Sequence, residues 1–386
     1  MSDKSFFAIG IDEGALRSGT LLYEKSLEYG KVFSRVFIIC RSSSKQSPET
    51  VGNVTFYPVY TSLNAFFPIK VLFVGVKTIR DGQWVISSDN PFELGLVAWF
   101  LASIVQASLY LQVHTDFLSP YFRRASSKEY IRFLLAKFLI PRAAYLRVVS
   151  ERIKQSILTT FPACAKSSAS RQFPLSNISV FPIFTDIQKY QDAQLDLSVQ
   201  ERLKSYTFRV ITVGRFFDKE KNFSLLISMM PSFLKSCPEA LLMIVGEGPD
   251  YSKYKKQIQS LGLEKHVLLE PWRTDLQSLY RSFDMFLLSS NYEGWGRVVI
   301  EAMAAGLPIV MTDVGLAGEI VQNNQNGLIV PVGDRKKMLE ACEILLRDPS
   351  KRKSFIEAGF KSIERLETTT KDRYLDLYRR SLEETL

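Results

Sequence analysis

Ser289 to Glu319 reads SSNYEGWGRVVIEAMAAGLPIVMTDVGLAGE and follows the apolar run MFLL, Met285–Leu288. The run reads as a strand. Gly294 and Gly296 then make a flexible turn, and RVVIEAMAAG reads as a helix closed by Gly306. LPIVMT, which follows, is apolar throughout rather than alternating, as parallel strands buried on both faces are. In open sheets built from strand–helix–strand units, ligands sit beyond the carboxyl ends of the strands. Backbone amides that open a helix there make a phosphate site.

The same grammar runs in both directions from this segment. Strands are expected at Phe6–Ile11, Arg35–Cys40, Val54–Val59, Gln83–Ser87, Leu109–His114, Ala144–Val149 and Ile178–Pro182. In the second half they are expected at Arg209–Val213, Ala240–Val245, Val267–Glu270, Met285–Leu288, Pro308–Thr312 and Gly327–Val330. Helical patterns separate them, which predicts an α/β fold with doubly wound sheets. At 386 residues the chain exceeds the length of about 250–300 at which single cores give way to several. The polar stretch Asp186–Ser205 marks the break. The expected domains are residues 1–186 and 187–370, followed by a C-terminal helix, 371–386, that packs back on the first domain.

Composition narrows the class. Hydrophobic residues are 46% and charged residues 23%, an ordinary globular balance. Cys40, Cys164, Cys237 and Cys342 show no paired spacing, and His114 and His266 are the sole histidines. This reads as reduced thiols in a cytoplasmic protein without a metal centre. The N-terminal apolar patch is too short for a signal peptide. Gly95–Val113 is uncharged and of membrane-spanning length, but Ser103, Gln106, Ser108 and Gln112 interrupt it, so a buried helix followed by a core strand is expected. The net charge of +9 points to acidic partners. No nucleic-acid module accompanies it, so no nucleic-acid partner is expected.

Glu293 in the turn and Glu301 in the helix are the carboxylates of the central segment. A glycosidase pair needs two carboxyls facing each other across about 5–10 Å, which their spacing does not provide. Spacing alone leaves two readings open. Either both hold ligand hydroxyls, or Glu293 caps the helix and Glu301 is solvated. Glu293-x7-Glu301 within EGWGRVVIEAMAAGLPIV resembles the signature of the retaining GT-B glycosyltransferases of family 4, the glycogen synthase and bacterial mannosyltransferase type, and the likeness continues over most of the chain. The resemblance implies two Rossmann-like domains facing a cleft. It implies that Glu293 contacts the donor sugar and Glu301 the nucleotide ribose, with Gly294, Trp295, Gly296 and Arg297 around the donor. In VGRFFDKEKN it gives Arg215 and Lys221 to the donor pyrophosphate, chemistry that suits a guanidinium fork and an ammonium. No DxD motif stands in a suitable loop, so no metal or other cofactor is expected. Gly246 in VGEGP and Trp272 and Arg273 in LEPWRTDL fall where the family lines the nucleotide, although core packing is an equal reading for Trp272.

In the first half, the resemblance places His114 of LYLQVHTDFL against the donor sugar. GALRSGTLLYEK matches a loop that usually carries two adjacent glycines; here it has Ser18–Gly19, and the amides of Gly19 and Thr20 are the candidates for the β-phosphate. VFPIFTD, with Pro182 and Asp186, matches the hinge. Between Arg123 and Lys154 stand nine basic and two acidic residues. Arg124, Lys128 and Arg132 at successive i,i+4 positions predict one basic helix face, which reads either as a site for an anionic membrane surface or as a solvated face over an ordinary core. The expected function is transfer of a hexose from a UDP- or GDP-sugar to a glycan or lipid-linked acceptor with retention, in cell-surface polysaccharide or glycolipid synthesis. The expected place is the cytoplasm or the inner face of its membrane. The alternatives are a sugar-nucleotide epimerase of related fold and a non-catalytic partner subunit that binds the nucleotide sugar.

Overall fold

The computed structural model describes residues 2–63, 66–80, 82–161, 177–366 and 370–385; Cys164 lies outside them. It divides into two compact units, Met1–Pro182 with Lys371–Leu386, and Ile183–Thr370.

The first unit runs β1 (Ser2–Gly10), α1 (Leu21–Val32), β2 (Phe33–Ser42), β3 (Glu49–Val51), β4 (Val54–Tyr60), α2 (Phe67–Thr78), β5 (Trp84–Ser88) and α3 (Glu93–Ile104). It continues with β6 (Ser108–Val113), α4 (Pro120–Ala125), α5 (Ser127–Leu139), β7 (Tyr145–Val148), α6 (Glu151–Thr160) and β8 (Ile178–Val180). The sheet order is β3-β4-β2-β1-β5-β6-β7-β8. Every expected strand is present. β3 was not expected: it forms the one antiparallel pair of this sheet, with β4, through the two-residue turn Gly52–Asn53. Gly52 takes a φ of +60°, the left-handed region that glycine occupies without strain.

Gly95–Val113 splits as expected into a helix and a strand, α3 and β6, with the break at Gln106, which adopts a φ of +53°. The helix is not fully buried, however. Leu94, Ala98 and Leu101 face the core while Leu96, Phe100 and Ile104 are exposed. Among the described residues no helix is long and apolar enough to cross a membrane. The single basic helix face is also corrected. Ser126 ends α4 and caps α5, accepting from the Glu129 amide, so Arg124 stands on a different helix from Lys128 and Arg132. Arg132 is bonded to Glu93 at 2.9 Å and Glu129 at 3.5 Å.

The second unit begins with α7 (Ile187–Gln191) and α8 (Leu197–Leu203), then β9 (Phe208–Val213), α9 (Asp218–Lys221), α10 (Phe223–Ser236), β10 (Ala240–Val245), α11 (Tyr251–Ser260) and β11 (Val267–Glu270). It continues with α12 (Leu276–Tyr280), β12 (Met285–Leu288), α13 (Arg297–Ala304), β13 (Ile309–Thr312), β14 (Leu328–Val330), α14 (Arg335–Arg347) and α15 (Pro349–Glu364). Its six strands are all parallel, in the order β11-β10-β9-β12-β13-β14. β9, β10, β12 and β13 are buried at almost every position, which is why they read as unbroken apolar runs.

α16 (Lys371–Thr385) belongs to the first unit and packs on α1. Its fully buried Tyr378 bonds the Tyr29 hydroxyl and lies under the Lys25 ammonium at 4.4 Å and the Arg147 guanidinium at 5.0 Å. Arg147 is itself buried, donating to Gln112 at 2.7 Å and to the Phe181 carbonyl at 3.2 Å. A buried cation demands such partners, and α16 supplies one of them. Tyr378→Ala removes the ring and leaves the Tyr29 hydroxyl unpaired, so a loss of about 3–5 kcal/mol is expected. Urea unfolding measures it, and an unchanged midpoint would contradict this role.

Candidate functional site

The strand order of the second unit reverses between β9 and β12. The chain moves outward from β9 through β10 to β11, then returns to place β12 on the other side. The loops leaving β9 and β12 therefore diverge from a shared crevice, the place where doubly wound sheets bind ligands. The β9 loop carries Arg215 and, on the short helix α9, Lys221. The β12 loop carries Glu293.

These side chains meet. Lys221 Nζ donates to Glu293 Oε1 at 2.6 Å, and Ser290 Oγ donates to the same oxygen at 2.8 Å. Glu220 Oε1 stands 3.0 Å from Lys221, and Glu220 Oε2 accepts from Arg215 at 3.2 Å. Glu220 was not foreseen as part of the site, because DKEK reads as a solvated loop of mixed charge. The two loops are stitched together by backbone contacts. The Asn291 amide donates to the Glu220 carbonyl at 2.7 Å, and Ser289 Oγ donates to the Lys221 carbonyl at 2.7 Å. Asn222, at a left-handed φ of +51°, turns the chain from α9 into α10 and so fixes where α9 ends. Burial works against the charge on Lys221. Glu293 and Glu220 more than offset it and hold the ammonium above the usual lysine range. Arg215 remains 62% exposed, its guanidinium over the Phe217 ring.

The structure places neither carboxylate as the capping and solvated reading has it. Glu293 does not cap α13: Gly296 does, at a φ of +93° and without a side-chain bond, as α9, α10, α11 and α12 of the same unit also begin. Of the amides that open α13, that of Val299 donates to the Gly296 carbonyl at 2.8 Å. Glu301 is buried, not solvated, at 3% exposure. Its Oε1 pairs with Arg297 at 2.9 Å, while Oε2 completes no hydrogen bond among the described residues. Burial raises its carboxyl above the usual range, opposed by Arg297 and by the Tyr190 hydroxyl. An unsatisfied buried carboxylate oxygen is costly unless a donor arrives to fill it.

The other donor-side candidates divide. Gly294 and Trp295 are buried in the β12 loop, and Trp295 packs its carbonyl where a side chain on Gly315 would stand, 2.5 Å away. A side chain on Gly246 would lie 1.9 Å from the Gly214 carbonyl, so this glycine is required for the packing of the β10 loop against the β9 loop. Trp272 is 48% exposed, which removes the core-packing reading. Arg273 is committed to Asp275 at 2.8 Å and Asp196 at 3.0 Å, fastening the β11 loop to the start of α8.

In the first unit His114 follows β6. Burial, reinforced by the Arg147 and Lys25 cations, holds its imidazole well below the usual range and hence neutral. Gly19 adopts a φ of +83° with open space where a side chain would be. Thr20 caps α1, and its amide donates to the Arg17 carbonyl at 3.3 Å, so that amide is already used. Asp186 caps α7, accepting from the Lys189 amide at 3.1 Å. Among the described residues no three His, Cys, Asp or Glu side chains gather as a cation site.

Comparison with known proteins gives this geometry a context. Residues 195–362 match the family model described as glycosyl transferases group 1. The chain is 24% identical over 322 residues to the capsular polysaccharide biosynthesis glycosyltransferase CapM of Staphylococcus aureus, covering 83% of this chain and 82% of that one. It is 27% identical over 212 residues to an Escherichia coli enzyme named UDP-Gal:alpha-D-GlcNAc-diphosphoundecaprenol alpha-1,3-galactosyltransferase, covering 52% and 54%. The chain spans about half the length, or less, of most curated relatives it matches. Among solved structures, Anabaena HepE in complex with UDP and glucose superposes with a TM-score of 0.71 at 18% identity, over 100% of this chain and 99% of that one. The chain thus has the two-domain GT-B fold, and its residues 195–362 are similar to the group 1 glycosyl transferases.

Proposed function

We propose that the chain is a retaining hexosyltransferase. It moves a hexose from a UDP- or GDP-sugar to a glycan or lipid-linked acceptor in the synthesis of a surface polysaccharide or glycolipid. The observation that carries the reading is the meeting of Lys221 and Glu293 at the strand-order reversal, beside a half-satisfied Glu301. A nucleoside diphosphate sugar presents matching groups in series: ribose hydroxyls for Glu301, a diphosphate for Lys221 and Arg215, and sugar hydroxyls for Glu293. The names of the capsule and diphosphoundecaprenol relatives, and of the structure with UDP and glucose, support the substrate classes.

The proposed chemistry needs little from the protein beyond placement and charge. The bond between the anomeric carbon and the phosphate oxygen breaks, and its electron pair leaves with the diphosphate, where Lys221 and Arg215 offset the new charge. The acceptor oxygen bonds to the same face of the carbon and gives its proton to the departing phosphate. Double displacement would need a carboxylate beneath the carbon. Glu293 is instead held by Lys221 and Ser290, an arrangement for binding hydroxyls. Neutral His114 suits a hydrogen bond to the sugar. In this reading the two cations and the amides of α13 take the place of a divalent ion.

The direct test is transfer by the purified protein from a panel of UDP- and GDP-hexoses in excess chelator. Formation of a glycoside with the donor's anomeric configuration is expected. An absolute need for magnesium or manganese, or release of a free epimerised sugar, would contradict the proposal.

The two carboxylates should fail differently. Glu293→Ala is expected to lower kcat with little change in donor KM, and Glu301→Ala to raise the donor KM, each by the worth of a charge-assisted hydrogen bond, about 1.5–3 kcal/mol. Because burial raises the Glu301 carboxyl, it takes up its proton at a higher pH than an ordinary glutamate. Donor binding should therefore weaken on acidification from above the usual carboxylate range. Glu301→Gln, which cannot titrate, should flatten that profile. Wild-type kinetics in the folded variants would remove both assignments.

A further inference from the structure

The first unit carries a surface whose composition its role in the fold does not explain. α3 lies between α2 and α5 on the sheet, and Gly75 of α2 meets Leu101 of α3 so closely that a side chain there would stand 2.6 Å from it. Each of these neighbouring helices buries one stripe and shows another. α2 buries Phe67, Val71 and Gly75 and exposes Ile69, Phe73 and Val76. α3 exposes Leu96, Phe100 and Ile104, and α5 exposes Tyr130, Ile131, Leu134 and Phe138. Spacings of three and four residues put each exposed set on one helix face. Phe73, at 72% exposure, is more open to water than any of the others. Ten of the twenty-one large apolar side chains that the described residues expose stand on these three helices, so this is a patch and not surface scatter.

The charges around it have one sign. α2 and α4 carry Lys70, Lys77, Arg123 and Arg124 and no acid, and α5 adds Lys128 and Lys137. The acidic residues of the four helices, Glu93 and Glu129, are both bonded to Arg132. Cations and rings alternate: Arg123 and Lys137 flank the Phe133 ring at 6.0 and 5.5 Å, and Arg142 lies 3.8 Å from the Phe138 ring centre. Such side chains set an apolar stem against hydrocarbon and a charge at headgroup level. A second copy of the chain is a poorer occupant, because a two-fold interface would bring this positive rim against itself.

We infer that the exposed stripes of α2, α3 and α5 form a face that inserts into the surface of an anionic lipid bilayer, with apolar contact as the main attraction and the basic rim as its orienting part. The inference deepens the lipid-linked acceptor of the proposed function, yet it is measured without turnover, so the two can fail separately.

Flotation of the full-length protein with vesicles of phosphatidylcholine and phosphatidylglycerol tests it. Binding is expected, with a large fraction retained when salt screens the rim. The triple variant Phe73→Ser, Phe100→Ser, Ile131→Ser changes exposed positions only. It should lower partitioning at least about tenfold at every salt concentration. Its urea-unfolding midpoint should stay close to the wild-type value, because all three positions are exposed, and this reports without any turnover that the variant is folded. Absence of wild-type binding, complete release by salt, undiminished binding of the variant, or a wild-type dimer that the variant dissolves would each overturn the inference.

Discussion

The ion pair between Lys221 and Glu293 is the contact on which the reading of this chain depends. It exists because a parallel sheet whose strand order reverses leaves the exits of β9 and β12 side by side. The bonds from Asn291 and Ser289 to carbonyls of α9 then hold the two loops in register. Both partners are largely withdrawn from water, at 15% and 11% side-chain exposure. Desolvating two charges for their own attraction is seldom favourable. In the proposed function the pair is two halves of a ligand site, each holding the other until an anion takes the ammonium and hydroxyls take the carboxylate.

The surroundings of the pair follow the same logic. Glu220 links Arg215 to Lys221, so the two cations share one anion before any diphosphate is present. Glu301 keeps one oxygen paired with Arg297 and one that completes no hydrogen bond among the described residues, with the Tyr190 hydroxyl acting on the carboxyl. The start of α13 has no side-chain cap, a feature it shares with α9, α10, α11 and α12 of the same unit. Glu220 stands beside the segment that joins β12 to β13, and Glu301 lies within it. Gly246, by contrast, serves packing: the β9 and β10 loops touch so closely that no side chain fits.

Much of this was legible in the sequence because buried parallel strands are read from composition alone. RVITV and ALLMIV need no partner to be recognised, and thirteen strands were expected where strands occur. β3 escaped because three exposed residues, Glu49–Val51, bury nothing and so leave no apolar signal; the Gly52–Asn53 turn was the available clue. The break between α4 and α5 escaped because an i,i+4 count passes over Ser126, whose role as a cap appears only when its side chain bonds Glu129. The pairing of Arg273 was hidden because its partner Asp196 lies 77 residues away. Exposure of Phe73 or Phe100 was equally hidden: periodicity shows that a helix has an apolar stripe, not that a second stripe is left facing water.

The central claim, that the Lys221–Glu293 pair is where the donor binds, is tested most directly by a crystal structure with an intact UDP- or GDP-hexose. The account predicts Lys221 Nζ on a diphosphate oxygen, Glu293 on a sugar hydroxyl, a donor hydroxyl on Glu301 Oε2, and the 2.6 Å contact between Lys221 and Glu293 lengthened or broken. A donor bound elsewhere, with that contact intact and Glu301 Oε2 still unpartnered, would contradict it.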